Sequence, residues 1–115
     1  MKAVTKPNLF FSADGVNSVT NSSAFDVTYL DSVSIQVIWS NGSGSPAGNI
    51  EVDATLDGTT WTNITLSPVP AVSGNSGSAL IQLSNVAYDK IRCRWQRSAG
   101  TIDLDMYMMA KSQGR

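Results

Sequence analysis

Apolar and polar residues alternate along most of this chain. Val33, Ile35, Val37 and Trp39 alternate over Ser32 to Ser40. Ile50, Val52, Ala54 and Leu56 do so against Glu51, Asp53 and Thr55. Near the C-terminus, Ile91, Cys93 and Trp95, then Ile102, Leu104, Met106 and Met108, alternate with Arg92, Arg94, Asp103 and Asp105. A period of two places one face of each segment in a core and the other in water. Shorter runs with the same period hold Phe25, Val27 and Tyr29, and Ala79, Ile81 and Leu83. About eight strands of ordinary length are predicted, the number a two-sheet sandwich uses. The expected fold is therefore all-β: a single antiparallel two-sheet β-sandwich, jelly-roll or immunoglobulin-like. Residues 1–12 are read as an N-terminal arm and 13–115 as one sandwich domain, since 115 residues suffice for one core and not two.

The punctuation between runs suggests the connections. NGSGSPAG at 41–48 is expected to be a surface loop, and Ser67 to Ser78, with Pro68, Pro70, Gly74 and Gly77, a second long one. Asp57 and Gly58 mark a tight hairpin turn, with Ile64 and Leu66 on the return strand. The last two runs are predicted to pair as a charge-matched hairpin, with Trp95 opposite Ile102, Arg94 opposite Asp103, Cys93 opposite Leu104, Arg92 opposite Asp105 and Ile91 opposite Met106. A one-residue slip would set Trp95 against Asp103. Each solvated Arg–Asp pair would contribute about 0.2–1 kcal/mol, tuning register more than stability.

Composition sharpens this picture. Ser, Thr, Asn and Val are abundant and Glu51 is the one glutamate, a balance that disfavours helices. A net charge of -1 with no basic run argues against nucleic acid as a partner. No stretch approaches the ~20 apolar residues of a membrane span, so no membrane partner is expected and the chain reads as cytoplasmically made and soluble. Cys93, in phase with core residues, is expected to be a buried free thiol, and a lone cysteine allows no internal disulfide.

Candidate chemistry is sparse. There is no histidine, which removes the commonest general base, the Ser-His and Cys-His dyads and most zinc sites. Glu51 and Asp53 alternate outward, and Asp103 and Asp105 have predicted arginine partners, so both pairs read as solvated strand faces rather than an acid/base site. Asp53 and Asp57 lack the spaced ligand ladder of a calcium loop. No catalytic residue, cofactor or metal is assigned, and the chain is read as a non-enzyme. Asp57 to Trp61 resemble the Asp-box hairpin of sialidase-type repeats, a structural turn, although Gly58 follows the acid directly and Thr55 stands where a serine is usual. Trp39 and Trp95 are in phase with the core. Trp61, at a turn exit beside Asp57 and Asn63, is the ring that would stack on a sugar if exposed.

Residues out of phase with their cores mark a contact surface: Ile38, Leu80, Tyr107 and Met109 point away from the buried faces. Leu9, Phe10 and Phe11 in the arm either cap the core or reach a neighbouring subunit, capping being the favoured reading. The order of features, a valine-rich strand, a Gly/Pro loop, the hairpin from Ile50 to Trp61, Tyr88 to Arg92, the Ser98 to Gly100 turn and a last strand ending at Lys111, resembles the small β-sandwich proteins of bacteriophage virions. That resemblance implies a capsid decoration, cement or accessory head or tail protein residing in the virion, with capsid or other virion proteins and sister copies as partners. Leu9, Phe10, Phe11, Ile38, Leu80, Tyr107 and Met109 are its candidate interface. A carbohydrate-binding module using Trp61, Asp57 and Asn63 is the alternative.

Overall fold

The fold is described from a computed structural model over residues 3–4, 8–28, 30–84 and 86–112. Tyr29, and residues 1, 2 and 5–7 of the expected arm, lie outside the described residues. Among the described residues nine strands run in chain order, every pairing between them antiparallel: β1 (Ala3–Val4), β2 (Asn8–Val16), β3 (Thr20–Asn21), β4 (Phe25–Asp26), β5 (Ser32–Thr55), β6 (Thr62–Ile64), β7 (Ala71–Ser73), β8 (Gly77–Ser84) and β9 (Lys90–Ser112).

Two strands organise everything else. β5, of 24 residues, and β9, of 23, pair with each other from Ser32↔Lys111 to Thr55↔Lys90. The first half of β5 carries β8 on its free side, and the C-terminal half of β9 carries β2, giving the order β8–β5–β9–β2. The second half of β5 carries β7 and β6, and the N-terminal half of β9 carries β3 and β4.

These halves cannot lie in one flat sheet. Ser84 and Lys90 are six residues apart, a reach of at most about 20 Å, yet Ser84 pairs with Ser32 and Lys90 with Thr55, the opposite ends of β5. A straight strand of that length would span about 75 Å, against a longest molecular dimension of 49 Å. The ring of Phe10, in β2, also meets that of Phe25, in β4, edge-on with centroids 5.0 Å apart, though β2 and β4 flank opposite ends of β9. The ribbon therefore folds back on itself, and the two halves become the two layers of a β-sandwich, with strands that pass between sheets at bulged corners.

The corner explains the glycine-rich segment. Residues 41–48 are the bulged middle of β5 rather than a free loop: from Ser40 to Gly48 the strand advances eight residues while β9 goes back six, from Asp103 to Arg97. The two extra residues bend the strand, and four residues of segment 41–48, Asn41, Gly44, Ser45 and Gly48, have positive φ. At Gly100 on the facing strand a Cβ would lie 2.4 Å from Pro46 Cα, so only glycine lets the two backbones approach this closely.

One core fills the fold, drawn from both layers: Val33, Ile35, Val37 and Trp39, Ile50 and Val52, Ile91, Cys93 and Trp95, and Ile102, Leu104 and Met106 are all buried. The alternation of these segments is as predicted. The C-terminal pairing is not. Residues 91–95 and 102–106 both lie in β9, and each pairs with β5 instead of with the other. Alternation and charge matching are satisfied equally well by a different partner, because Glu51 and Asp53 repeat the spacing of Asp103 and Asp105. Two smaller corrections follow. β5 ends at Thr55, which leaves Leu56 76% exposed rather than inward, and the expected loop at 67–78 contains β7, paired with Ala47–Asn49.

Candidate functional site

The register of the β8–β5–β9–β2 layer decides which out-of-phase residues share a surface. Leu80 pairs with Gln36, Gln36 with Tyr107 and Tyr107 with Leu9, so these four form one row across four strands. Met109 lies in the next row beside Ser34 and Gln82, and Ile38 in the row on the other side, between Ser78 and Asp105. Five candidate contact residues thus sit together on one outer face, about 15 Å across from the spacing of four strands. Leu80 is 62% exposed, Leu9 45% and Met109 40%, while Tyr107 and Ile38 are half-buried among their neighbours. The face is edged by Asp105, which accepts a 2.6 Å hydrogen bond from Ser12 Oγ.

Phe10 and Phe11 do not join them. A bulge between Leu9 and Phe11 changes the parity of β2, so that Leu9 points out while Phe11, opposite buried Met106, and Phe10, against Phe25, pack on the core. Residues 8–12 of the expected arm are an integral part of the sheet.

The outer face of the other layer is polar and internally paired. Asp53, read from sequence as solvated, is 2% exposed. Arg94 Nη1 donates to its Oδ2 at 2.6 Å and Arg92 Nε at 3.3 Å, and the two guanidiniums shield the carboxylate from water. Arg94 also faces Glu51 at 3.7 Å. The predicted partners of these arginines are engaged elsewhere. Asp103 accepts from Asn41 Nδ2 and the Gly15 amide, and these bonds hold its carboxyl below the usual range.

The residues named for glycan stacking are also committed to the fold. The Arg92 guanidinium lies 4.5 Å from the Trp61 ring centroid, a cation–π contact that covers one face of the indole. Asp57 Oδ1 accepts from the amides of Thr60 at 2.7 Å and Thr59 at 2.8 Å and from Thr55 Oγ1 at 3.0 Å. The backbone donors, Thr60 first, hold its carboxyl far below the ordinary carboxylate range. This is the structural turn the Asp-box resemblance implies. Asn63 Nδ2 donates to Glu51 Oε1 at 3.1 Å. Asp57 and Asn63 border a groove of about 560 Å³ that also contains Leu56, Ile64 and Tyr88, and Trp61 is not in its lining. Tyr88 and Leu56 are absent from the sequence-level candidates, because Leu56 continues the inward alternation and Tyr88 lies between strands.

Cys93 is buried and free, and burial pushes its thiol up to about 12. Among the described residues no group of three or more acidic or thiol side chains is arranged to hold a metal ion, and no helix is long and apolar enough to cross a membrane.

No protein-family model and no curated protein sequence matches the chain. Solved structures do. The SPBc2 prophage-derived protein YomS is similar over 97% of this chain and 96% of its own, with a TM-score of 0.59 and 14% identity. The CBM22-1 xylan-binding domain of Paenibacillus barcinonensis Xyn10C is similar over 98% and 97%, with a TM-score of 0.57 and 10% identity. The Tobacco streak virus coat protein is similar over 97% and 85%, with a TM-score of 0.54 and 14% identity. At these identities the likeness is one of fold. Its breadth across whole chains agrees with a single β-sandwich.

Proposed function

We propose that this chain is a non-enzymatic structural protein of a phage virion, a capsid decoration, cement or accessory head or tail protein that works through protein–protein contacts. The observation carrying this reading is the row Leu80, Gln36, Tyr107 and Leu9, with Met109 and Ile38 beside it: five apolar or aromatic side chains around one glutamine on the outer face of the sandwich. Aromatic and Met side chains amid uncharged polar ones are the composition of an interface centre. The ionisable groups of the other layer are spent on one another, as the Asp53–Arg92–Arg94 cluster illustrates. The same sandwich in a prophage-derived protein and in a viral coat protein supports the reading. The protein is made in the host cytoplasm and ends in the particle, with capsid or other virion proteins and sister copies as partners.

The test is incorporation. The protein is expected at a fixed copy number in purified particles by quantitative mass spectrometry, and Tyr107→Ser with Met109→Ser is expected to lower that number at least tenfold while the isolated domain still melts cooperatively. Unchanged incorporation would overturn the assignment of this face.

The second reading, a carbohydrate-binding module, draws on the groove bordered by Tyr88, Asn63 and Asp57 and on the fold it has in common with a xylan-binding domain. The Arg92 cap on Trp61 counts against the stacking platform it was given. Binding to soluble xylan or to a glycan array, abolished by Tyr88→Ala, would favour this reading over the first.

A further inference from the structure

The sandwich has one long sheet edge that nothing in its sequence protects. β8, Gly77–Ser84, pairs with β5 without a single shift from Ser32↔Ser84 to Trp39↔Gly77. Among the described residues no strand pairs on its other side, and no other hydrogen bond reaches residues 77–84. The other edges are different. β2 carries two bulges and Asp14, while β1, β3, β4, β6 and β7 are only two or three residues long. Natural sheets blunt their edges with lysine, proline, bulges or brevity. β8 has none of these. It lies in the longest uncharged stretch of the chain, since no Asp, Glu, Lys or Arg occurs between Asp57 and Asp89.

We infer that β8 pairs antiparallel with β8 of a second copy of this chain across a two-fold axis, joining the two β8–β5–β9–β2 layers into one continuous sheet. The occupant follows from the edge itself. An unpaired row of amides and carbonyls takes an extended strand, and among the described residues the matching long, regular, uncharged edge is the same edge in another molecule. A two-fold axis makes such a strand antiparallel to itself and the contact self-complementary. Pairing centred on Ile81 keeps alternation in phase on both copies: Ile81 faces its equivalent, Ala79 falls beside Leu83 on the core side, and Leu80 falls beside Gln82 on the outer face. No like charges meet. Segment 66–70 lines a groove of about 370 Å³ together with Ala79, Leu80, Ile81 and Gln82, and among the described residues it makes no hydrogen bond to residues 77–84 that would hold it on the strand edge. The dimer would double the apolar outer face, although the inference does not depend on the virion reading: a monomer would leave that reading standing.

The experiment uses the full chain in solution. Light scattering coupled to size exclusion at high micromolar concentration is expected to give twice the monomer mass of 12.2 kDa. Hydrogen exchange is expected to show amides within 77–84 protected at that concentration and exchanging at least tenfold faster after dilution below the dimer's dissociation constant. Leu80→Lys with Gln82→Lys, both exposed positions, sets lysine beside lysine across the axis and is expected to halve the mass. Leu56→Lys, on the hairpin turn, is expected to leave it unchanged. A monomer at every concentration would overturn the inference. So would a dimer that persists in the double-lysine variant with concentration-independent exchange at 77–84. Should that variant lose its cooperative melt, the dilution dependence of the unmodified chain decides.

Discussion

Arg94 donates from Nη1 to Asp53 Oδ2 at 2.6 Å, joining the two long strands across 41 residues of chain at a carboxylate almost wholly shielded from water. Asp53 also takes Arg92, so one buried anion is held by two half-buried cations. Breaking such a pair strands the remaining charges where water solvates them poorly. Asp53→Ala is expected to destabilise the fold by about 3 kcal/mol, measured as a lower denaturation midpoint. Asp105→Ala, which removes one exposed hydrogen bond, is expected to cost about 1 kcal/mol or less. Equal losses at the two sites would contradict the arrangement.

The corner makes a second prediction. A Cβ at Gly100 would sit 2.4 Å from Pro46 Cα and 2.9 Å from Ser43 O, with φ at +81°. Gly74 has a similar φ of +77° with nothing within 4 Å of its Cβ. Gly74→Ala is expected to cost about 1–2 kcal/mol, the left-handed backbone penalty alone, and Gly100→Ala clearly more. A thermal melt of the two variants side by side checks this.

Acid should weaken the fold in a definite direction. The Asp57 carboxyl is held far below its ordinary 3.8, first by the Thr60 amide and then by that of Thr59, and Asp103 is lowered by Asn41 and Gly15. A depressed folded-state value gives stability that is complete above the unfolded value and lost as pH falls below it toward the folded one. Melting temperature is therefore expected to hold level above about pH 5 on this account and to fall below pH 4, with a shallower fall in Asp57→Ala than in the unmodified chain.

The Cys93 thiol, raised to about 12 by burial, has almost no thiolate at neutral pH. A thiol reagent at pH 8 is expected to modify it only at the rate of unfolding, and at once in denaturant. Rapid modification of the native protein would show that the core is open at Cys93.

Much of the fold is legible in the sequence because burial imposes period two on each strand locally. Ile35, Cys93 and Leu104 announce their direction without knowledge of any partner. Pairing is a different matter. Arg92 and Arg94 match Asp103 and Asp105 as well as they match Glu51 and Asp53, and a local hairpin is the simpler choice. The distinction lies in how far Lys90 to Ser112 runs before it bends, which no local pattern encodes. The NGSGSPAG segment carries the composition of a loop because a bulged corner needs the same positive-φ residues. The outer face was half legible: Leu80, Tyr107 and Met109 stand out of phase, but only the register sets Leu80, Tyr107 and Leu9 in one row and turns Phe10 and Phe11 inward.

The proposed site of action is the outer face of the β8–β5–β9–β2 layer. Hydroxyl-radical footprinting of purified particles against the free protein tests it directly, since Tyr, Met and Leu side chains are all reactive and report their own exposure. Leu9, Leu80, Tyr107 and Met109 are expected to lose reactivity in the particle while Trp61, Tyr88 and Leu56 keep theirs. Protection of Tyr88 and Leu56 with Tyr107 and Met109 unchanged would contradict the claim.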